Sequence, residues 1–194
     1  MLRPWFHAIF LLALAVPQFN GQTAAKQSTI TIHVHKSGVL SGFGHNHIVV
    51  APVRQATLDT RTMTAEIVVL SKELKVTDTD VSEKDRAQIQ ADMLGPKVLN
   101  AEKFPQILFK SFRIEPAGAG RFHVTGTLDL HGVRKEITLE MTGGADHYQG
   151  KTKLKQTDFG IEPVSVAGGA VKVKDELDLD LDIYAESVKN AGRR

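Results

Sequence analysis

The sequence predicts an all-β fold, a sandwich or a barrel, with one short helical insertion. Apolar and polar residues alternate on both sides of His131-Gly132, which indicates two strands joined by a turn. The same alternation runs through 171–183, where only Asp175 interrupts the apolar row. In the segment 80–100 the residues change to good helix formers with few β-branched side chains. Strands that are apolar on one face fit an antiparallel sheet packed on a core.

The amino-terminal part of the chain contains four strand segments. Residues 28–35 alternate apolar side chains with threonine and histidine, and the glycine-rich segment 36–47 is typical of a turn or a bent, bulged strand. Residues 48–51 form a short apolar run that a proline ends. Residues 53–59 and 63–70 then fit a hairpin.

The helical segment has a start, an apolar stripe and an end. Ser82 followed by Asp85 is a variant of the N-terminal capping pattern. Ile89 and Met93 are spaced so that they share one face of a helix, and Gly95-Pro96 ends it. Strand patterns resume after the helix in the segments 107–115, 121–130, 135–142, 148–157 and 171–183. With the segments before the helix, the sequence predicts about eight or nine strands.

The first 25 residues carry the pattern of a secretory signal peptide. Arg3 provides the basic start, residues 8–16 the apolar run, and Thr23-Ala24-Ala25 the small residues of a cleavage site. The apolar run is too short for a membrane span, which disfavours the alternative of a retained N-terminal anchor. We therefore expect residues 1–25 to be removed and residues 26–194 to form one periplasmic or secreted domain with a sizeable core.

Composition and spacing exclude several classes of protein. Basic and acidic residues are interspersed and the formal net charge is only +2, so no nucleic-acid-binding surface is indicated. The chain has no cysteine, so the core must hold a secreted domain together without disulfides. There is no Gly-x-Ser-x-Gly elbow, and no serine, histidine and acid are placed as a catalytic triad. Asp178, Asp180 and Asp182 fit a solvated strand face better than a calcium site, because a straight strand does not wrap an ion.

Four segments, in this order and spacing, carry a resemblance to a known family. They are the opening strand that ends at His35, the segment 99–111 with its Phe104-Pro105 pair, the segment 126–139 around the His-Gly turn, and the segment 157–161. Taken together, from about residue 28 to residue 184, they resemble the YceI-like family, the polyisoprenoid-binding, lipocalin-like periplasmic proteins.

The resemblance implies an eight-stranded antiparallel lipocalin-like barrel, closed by a helical segment, with a long apolar interior. It implies that this interior holds a polyisoprenoid chain, such as a quinone tail or an isoprenoid phosphate, without catalysis and without a cofactor other than the lipid. The expected partners are this lipid and a membrane-associated donor or acceptor. Whether two barrels form a dimer is left open, although the aspartate-rich face of the last strand argues against its burial there.

The chain departs from the family pattern in two places. The family often has an Arg-Asp-x-His-Leu element in the helix, where this chain has Ile89-Gln90-Ala91-Asp92-Met93. We therefore do not assign to residues 89–93 the contact with a lipid head group that the family element would imply. The chain also has His45-Asn46-His47 after Gly44, where the family more often has a Gly-x-Phe turn.

The apolar rows of the predicted strands supply the candidate wall of a lipid site. Binding an isoprenoid tail removes it from water at ~0.8 kcal/mol per CH₂, so such a site needs length and apolar walls more than polar groups. The alternative is that these rows fill a dry core. A glycine in one of the rows, Gly126, fits either room for a ligand or a bend. The wall candidates are Ile32, Val34, Ile67, Val69, Phe109, Val124, Gly126, Leu128, Leu139, Leu154, Leu179 and Leu181.

Histidines support a second hypothesis. His33 and His35 share a strand face, His45 and His47 are close in sequence, and four imidazoles are able to bind zinc or copper. Ordinary surface histidines are the simpler interpretation. If His45 and His47 lie at the barrel mouth, protonation near pH ~6.5 favours an acidic head group there. The predictions are thus a lipid carrier or sensor first, a histidine-based metal-binding barrel second, and a barrel that binds another protein around a dry interior third.

Overall fold

The computed structural model describes residues 26–39, 42 and 44–187. The predicted signal peptide, residues 1–25, lies outside the described residues. Within the described part, no helix is long and apolar enough to span a membrane. The strands are β1 (Thr29–Ser37), β2 (His47–Asp59), β3 (Thr64–Leu70), β4 (Lys75–Val76), β5 (Gln106–Pro116), β6 (Arg121–Leu130), β7 (Val133–Gly144), β8 (His147–Lys155), β9 (Ser165–Val166), β10 (Val171–Tyr184) and β11 (Glu186–Ser187).

Eight of these strands form a closed antiparallel barrel. The order is β1–β10–β8–β7–β6–β5–β3–β2, and β2 pairs again with β1. The two-residue strands β4 and β11 pair with β2, and β9 pairs with β10. The barrel and the one α-helix of the described residues confirm the predicted fold class. The alternating pattern suits a closed barrel, because each strand has one apolar row to direct inward and one polar row for water.

The tight turn predicted at His131-Gly132 joins β6 to β7. Both turn residues have positive φ, 54° at His131 and 78° at Gly132, as a two-residue hairpin turn requires. A Cβ atom at Gly132 would lie 2.6 Å from the Phe104 ring, so the turn packs directly under that ring. The His131 ring meets Phe104 edge to face at 4.6 Å, and its Nδ1 lies 3.2 Å from the carbonyl oxygen of Phe159. Three of the segments that carry the family resemblance therefore pack against one another.

The predicted strand break at Pro52 is wrong, because β2 continues through the proline. Pro52 is the last residue of β2 that pairs with β1, opposite Thr29. From Val53 onward β2 pairs with β3, and a register shift follows between Val53 and Gln55. The missing N–H of proline is tolerated because it falls where the strand changes partners.

One helix, α1 (Glu83–Leu94), covers one end of the barrel. The Ser82 hydroxyl accepts a hydrogen bond from the Asp85 backbone N–H at 3.1 Å, which confirms the predicted cap. Gln90 fastens the helix to β4, since its amide donates to the Leu74 carbonyl and accepts from the Val76 N–H, both at 2.8 Å. Gln90 is thus a structural anchor in the element where the chain departs from the family pattern.

Candidate functional site

The candidate site is an apolar cavity of about 280 Å³ inside the barrel, beneath α1. Helix α1 contributes Ile89 and Met93 to its wall, as the predicted apolar stripe requires. Ten of the twelve wall candidates line it, and they come from seven of the eight barrel strands. These ten residues are Ile32, Val34, Ile67, Val69, Phe109, Leu128, Leu139, Leu154, Leu179 and Leu181.

A second apolar cavity of about 200 Å³ lies toward the other end of the barrel. Val124, the eleventh wall candidate, lines this cavity and not the first. Its wall reaches the β2–β3 turn at Thr60 and Met63. The two cavities meet at three side chains that line both, Ile67, Phe109 and Leu139. The barrel interior therefore holds two apolar cavities that share part of their wall.

The twelfth candidate, Gly126, lines neither cavity. It is buried in the inward row of β6, but the Phe109 ring covers it. A Cβ atom there would lie 2.7 Å from the end of that ring and 2.5 Å from the Lys110 carbonyl oxygen. In this structure the space beside Gly126 is taken by the Phe109 ring and the backbone of β5.

This placement changes what a Gly126→Leu substitution should do. We expect the variant to be destabilised by more than about 3 kcal/mol, because a backbone atom of β5 cannot yield as a flexible side chain would. Thermal unfolding monitored by circular dichroism measures the effect. Gly144→Leu is the control, because a Cβ atom at Gly144 meets nothing within 4 Å. Equal melting temperatures for the two variants would contradict the packing described for Gly126.

A hydrogen-bonded histidine–aspartate pair lies at the α1 end of the first cavity. The His47 ring lines the cavity, and its Nδ1 lies 2.7 Å from a carboxylate oxygen of Asp78. The Asp78 side chain is only 1% exposed, and its other oxygen accepts the Ile48 N–H at 2.7 Å. Because Nδ1 is engaged by the carboxyl group of Asp78, Nε2 is the ring nitrogen that is left available to a ligand.

The sequence pattern did not predict that Asp78 is buried beside His47. Asp78 lies in the polar run Thr77-Asp78-Thr79-Asp80, which reads as an exposed loop, and nothing local distinguishes the buried aspartate from the exposed one. The other predicted mouth residue, His45, is 52% exposed and lies 3.7 Å from Asp80. The structure therefore places His47 at the cavity and leaves His45 in solvent.

The remaining predicted metal ligands lie on the outer face of the barrel. His33 is 2.9 Å from Asp180, and His35 is 2.8 Å from Asp178. Within the described ranges, no three histidine or carboxylate side chains converge as a metal ion requires. Each of the four predicted histidines instead lies beside its own aspartate. This geometry gives the metal-binding hypothesis no support.

The outward carboxylates of β10 have lowered pKa values. Hydrogen bonds from His35 and then Lys153 lower the pKa of Asp178, and bonds from His33 and then Lys151 lower that of Asp180. A lowered carboxyl pKa adds stability that is fully present above the unfolded-state pKa of ~3.9 and is lost as the pH falls through the folded-state value.

We therefore expect wild-type protein to lose stability more steeply below about pH 4 than a variant carrying Asp178→Asn and Asp180→Asn. Both carboxylates are well exposed, so the difference should be modest. Melting temperatures measured between neutral and strongly acidic pH check this. Parallel curves for the two proteins would show that these contacts do not contribute.

Comparisons with known proteins agree with the fold. A model of the YceI-like domain matches residues 20–185. A UPF0312 protein of Vibrio parahaemolyticus is 31% identical over 129 residues, which are 61% of this chain and 64% of that protein. Protein YceI of Salmonella arizonae is 33% identical over 115 residues, 54% of this chain and 57% of that protein. The chain thus spans less than two thirds of the length of these curated relatives.

Solved structures of similar fold are known. The crystal structure of Burkholderia cenocepacia BcnA has a TM-score of 0.61 at 17% identity, covering 82% of this chain and 96% of that chain. The crystal structure of Campylobacter jejuni YCEI protein has a TM-score of 0.51 at 17% identity, covering 71% of this chain and 80% of that chain. At this identity, the likeness shows the fold alone.

Proposed function

Because this chain belongs to the YceI-like domain family, we propose that it is a binding protein that holds an isoprenoid-like lipid in its barrel and catalyses no reaction. The observation that carries the proposal is the apolar cavity beneath α1, with a second apolar cavity in line with it. A dry core would be expected to fill this space with side chains, since protein interiors are close-packed. The unfilled volume supports a ligand instead.

The energetics of the site suit a hydrocarbon chain. Each buried CH₂ contributes ~0.8 kcal/mol, and a chain of many such groups outweighs the cost of its own ordering. The walls of both cavities are lined mainly by aliphatic and aromatic side chains from opposite sides of the barrel. The wall therefore favours chain length and apolar character over a specific pattern of hydrogen bonds.

The proposal places the polar head group of the lipid beside His47. This ring is 19% exposed, lines the first cavity and is oriented by Asp78 through Nδ1. Nε2 accepts a hydrogen bond from a hydroxyl head group when the ring is neutral, and donates one to a carbonyl or phosphate oxygen when the ring is charged. A few placed polar groups in an otherwise apolar pocket commonly fix the orientation of a ligand.

We also propose that the protein is exported, because residues 1–25 have the pattern of a signal peptide. The lipid would then pass to or from a membrane-associated donor or acceptor outside the cytoplasm.

Native mass spectrometry of the exported protein tests the proposal. The full chain is expressed with its own first 25 residues and purified from the exported fraction without detergent. We expect one discrete mass above that of the polypeptide, released by organic solvent and identified as an isoprenoid. A bare polypeptide mass that also fails to take up added prenol would contradict the proposal. Stoichiometric metal in the same spectrum would instead favour the histidine-based alternative.

A further inference from the structure

One aromatic side chain lies where the two cavities of the barrel meet. Of the three side chains that line both cavities, Phe109 on β5 is the only aromatic one, with Ile67 on β3 and Leu139 on β7. Phe109 is 5% exposed and belongs to the core cluster that continues into the second cavity. Its ring therefore occupies the boundary that a chain entering from the α1 end must pass.

The Phe109 ring packs against the backbone of the neighbouring strand β6. Gly126 on β6 lacks the side chain that would lie 2.7 Å from the end of the ring, so the ring rests against bare backbone. The next inward residue of β5, Ser111, accepts the Ala65 N–H at 2.6 Å, and a register shift follows between Ser111 and Arg113. These contacts tie β5 to both neighbouring strands at the level of the ring, which restricts how far the ring can move aside.

The three side chains shared by the two cavities are all apolar. Inward side chains of the second cavity include Ile114, Phe122, Met141 and Ile183. A hydrocarbon chain that passed Phe109 would therefore remain in apolar surroundings. Each cavity alone falls below the roughly 300–1,000 Å³ typical of ligand pockets, so a long chain needs both.

We propose that Phe109 sets the length of the hydrocarbon tail that the barrel accepts. This inference rests on the proposed function. A ligand with its head group at His47 extends its tail through the first cavity and stops at the ring. The tail reaches the apolar second cavity only when the Phe109 ring is absent. Phe109 thus determines specificity by tail length and does not contact the head group.

The test is competitive loading of delipidated protein with an equimolar mixture of farnesol, geranylgeraniol and solanesol, read out by native mass spectrometry. We expect the wild type to prefer the shorter prenols. In Phe109→Ala, the ratio of long to short prenol bound should rise by about tenfold or more, because every further CH₂ that enters the second cavity is buried. Phe109→Leu, which keeps an apolar side chain of intermediate size, should shift the ratio in the same direction by less.

Two further variants separate tail length from general loosening. Leu130→Ala also removes a large side chain, but from the first cavity only, so it should weaken the binding of all three prenols without opening the second cavity to the long one. Ala56→Leu fills part of the second cavity. Combined with Phe109→Ala, it should cancel the gain for long prenols, while alone it should leave the binding of short prenols as in the wild type.

The outcomes distinguish the inference from the function on which it rests. If folded wild-type protein binds none of the prenols, both the proposed function and the inference fail. If the wild type binds prenols but folded Phe109→Leu and Phe109→Ala keep its length preference, the lipid-binding function stands and the role of Phe109 is overturned. Melting temperatures of all variants identify those that are folded.

Discussion

Replacing Thr152 with tryptophan is expected to leave the purified protein almost free of lipid, with an affinity about tenfold or more below that of the wild type. Thr152 faces inward from β8, opposite Leu179 of β10, and lines the first cavity. Its side chain is the smallest on that part of the wall. An indole ring at this position would occupy the space that we assign to the lipid tail, at a cost to stability of about 1–3 kcal/mol.

Lys151→Trp is the matched control for this prediction. The two residues are adjacent on the same strand, but the Lys151 side chain faces outward and is 85% exposed. The sequence contains one tryptophan, Trp5, within the predicted signal peptide, so fluorescence of the mature protein would report only the introduced ring. We expect blue-shifted emission from position 152 and solvent-exposed emission from position 151. A folded Thr152→Trp protein that retains wild-type amounts of lipid would contradict the assignment of the cavity.

Replacing His47 with alanine is expected to destabilise the fold by about 2–4 kcal/mol and to weaken lipid binding. The substitution leaves the carboxylate of Asp78 buried at 1% exposure without its partner 2.7 Å away. The expected cost lies toward the lower end for buried pairs because the His47 ring itself is 19% exposed. Urea denaturation measures the free energy of unfolding, and mass spectrometry measures the lipid.

His45→Ala provides the control, because that histidine is 52% exposed and lies 3.7 Å from an exposed aspartate. Its removal should change the free energy of unfolding by less than about 0.5 kcal/mol. Asp78→Asn combined with His47→Ala should recover part of the lost stability, since the buried charge is then gone. If His45→Ala and His47→Ala cost the same, the ion pair does not have the importance assigned to it.

The strands and their inward rows were predictable because their signal is local, whereas the choice of a barrel over a sandwich came from the family resemblance. In β10 successive residues face opposite sides of the sheet. The alternation of apolar residues such as Leu179 with polar residues such as Asp180 therefore predicts which face is buried. The same reasoning placed Leu128 and Leu139 on the inner wall. The cap at Ser82 was predictable for a similar reason, because it depends on residues only three positions apart.

Features that depend on distant contacts were not predictable in this way. Asp78 is buried because β2 brings His47 beside it, 31 positions away in the chain. Gly126 serves the Phe109 ring on the neighbouring strand, which no pattern within β6 records. At Pro52 the strand changes its pairing partner from β1 to β3. The pattern of a single sequence does not predict which strands pair with each other. The division of the interior into two cavities has the same origin.

The pairing of β1 with β10 has a consequence for how the protein folds. Ser28 and Tyr184 exchange two hydrogen bonds, although 156 positions separate them in the chain. The barrel therefore cannot close until almost the whole described chain has emerged from the ribosome or the export channel, and loop closure over this distance makes the last step slow. A chain shortened before β10 would leave β1 and β8 with unpaired edges, which are templates for aggregation. If the chain is exported, as we propose, late closure would keep it open enough to pass through the export channel.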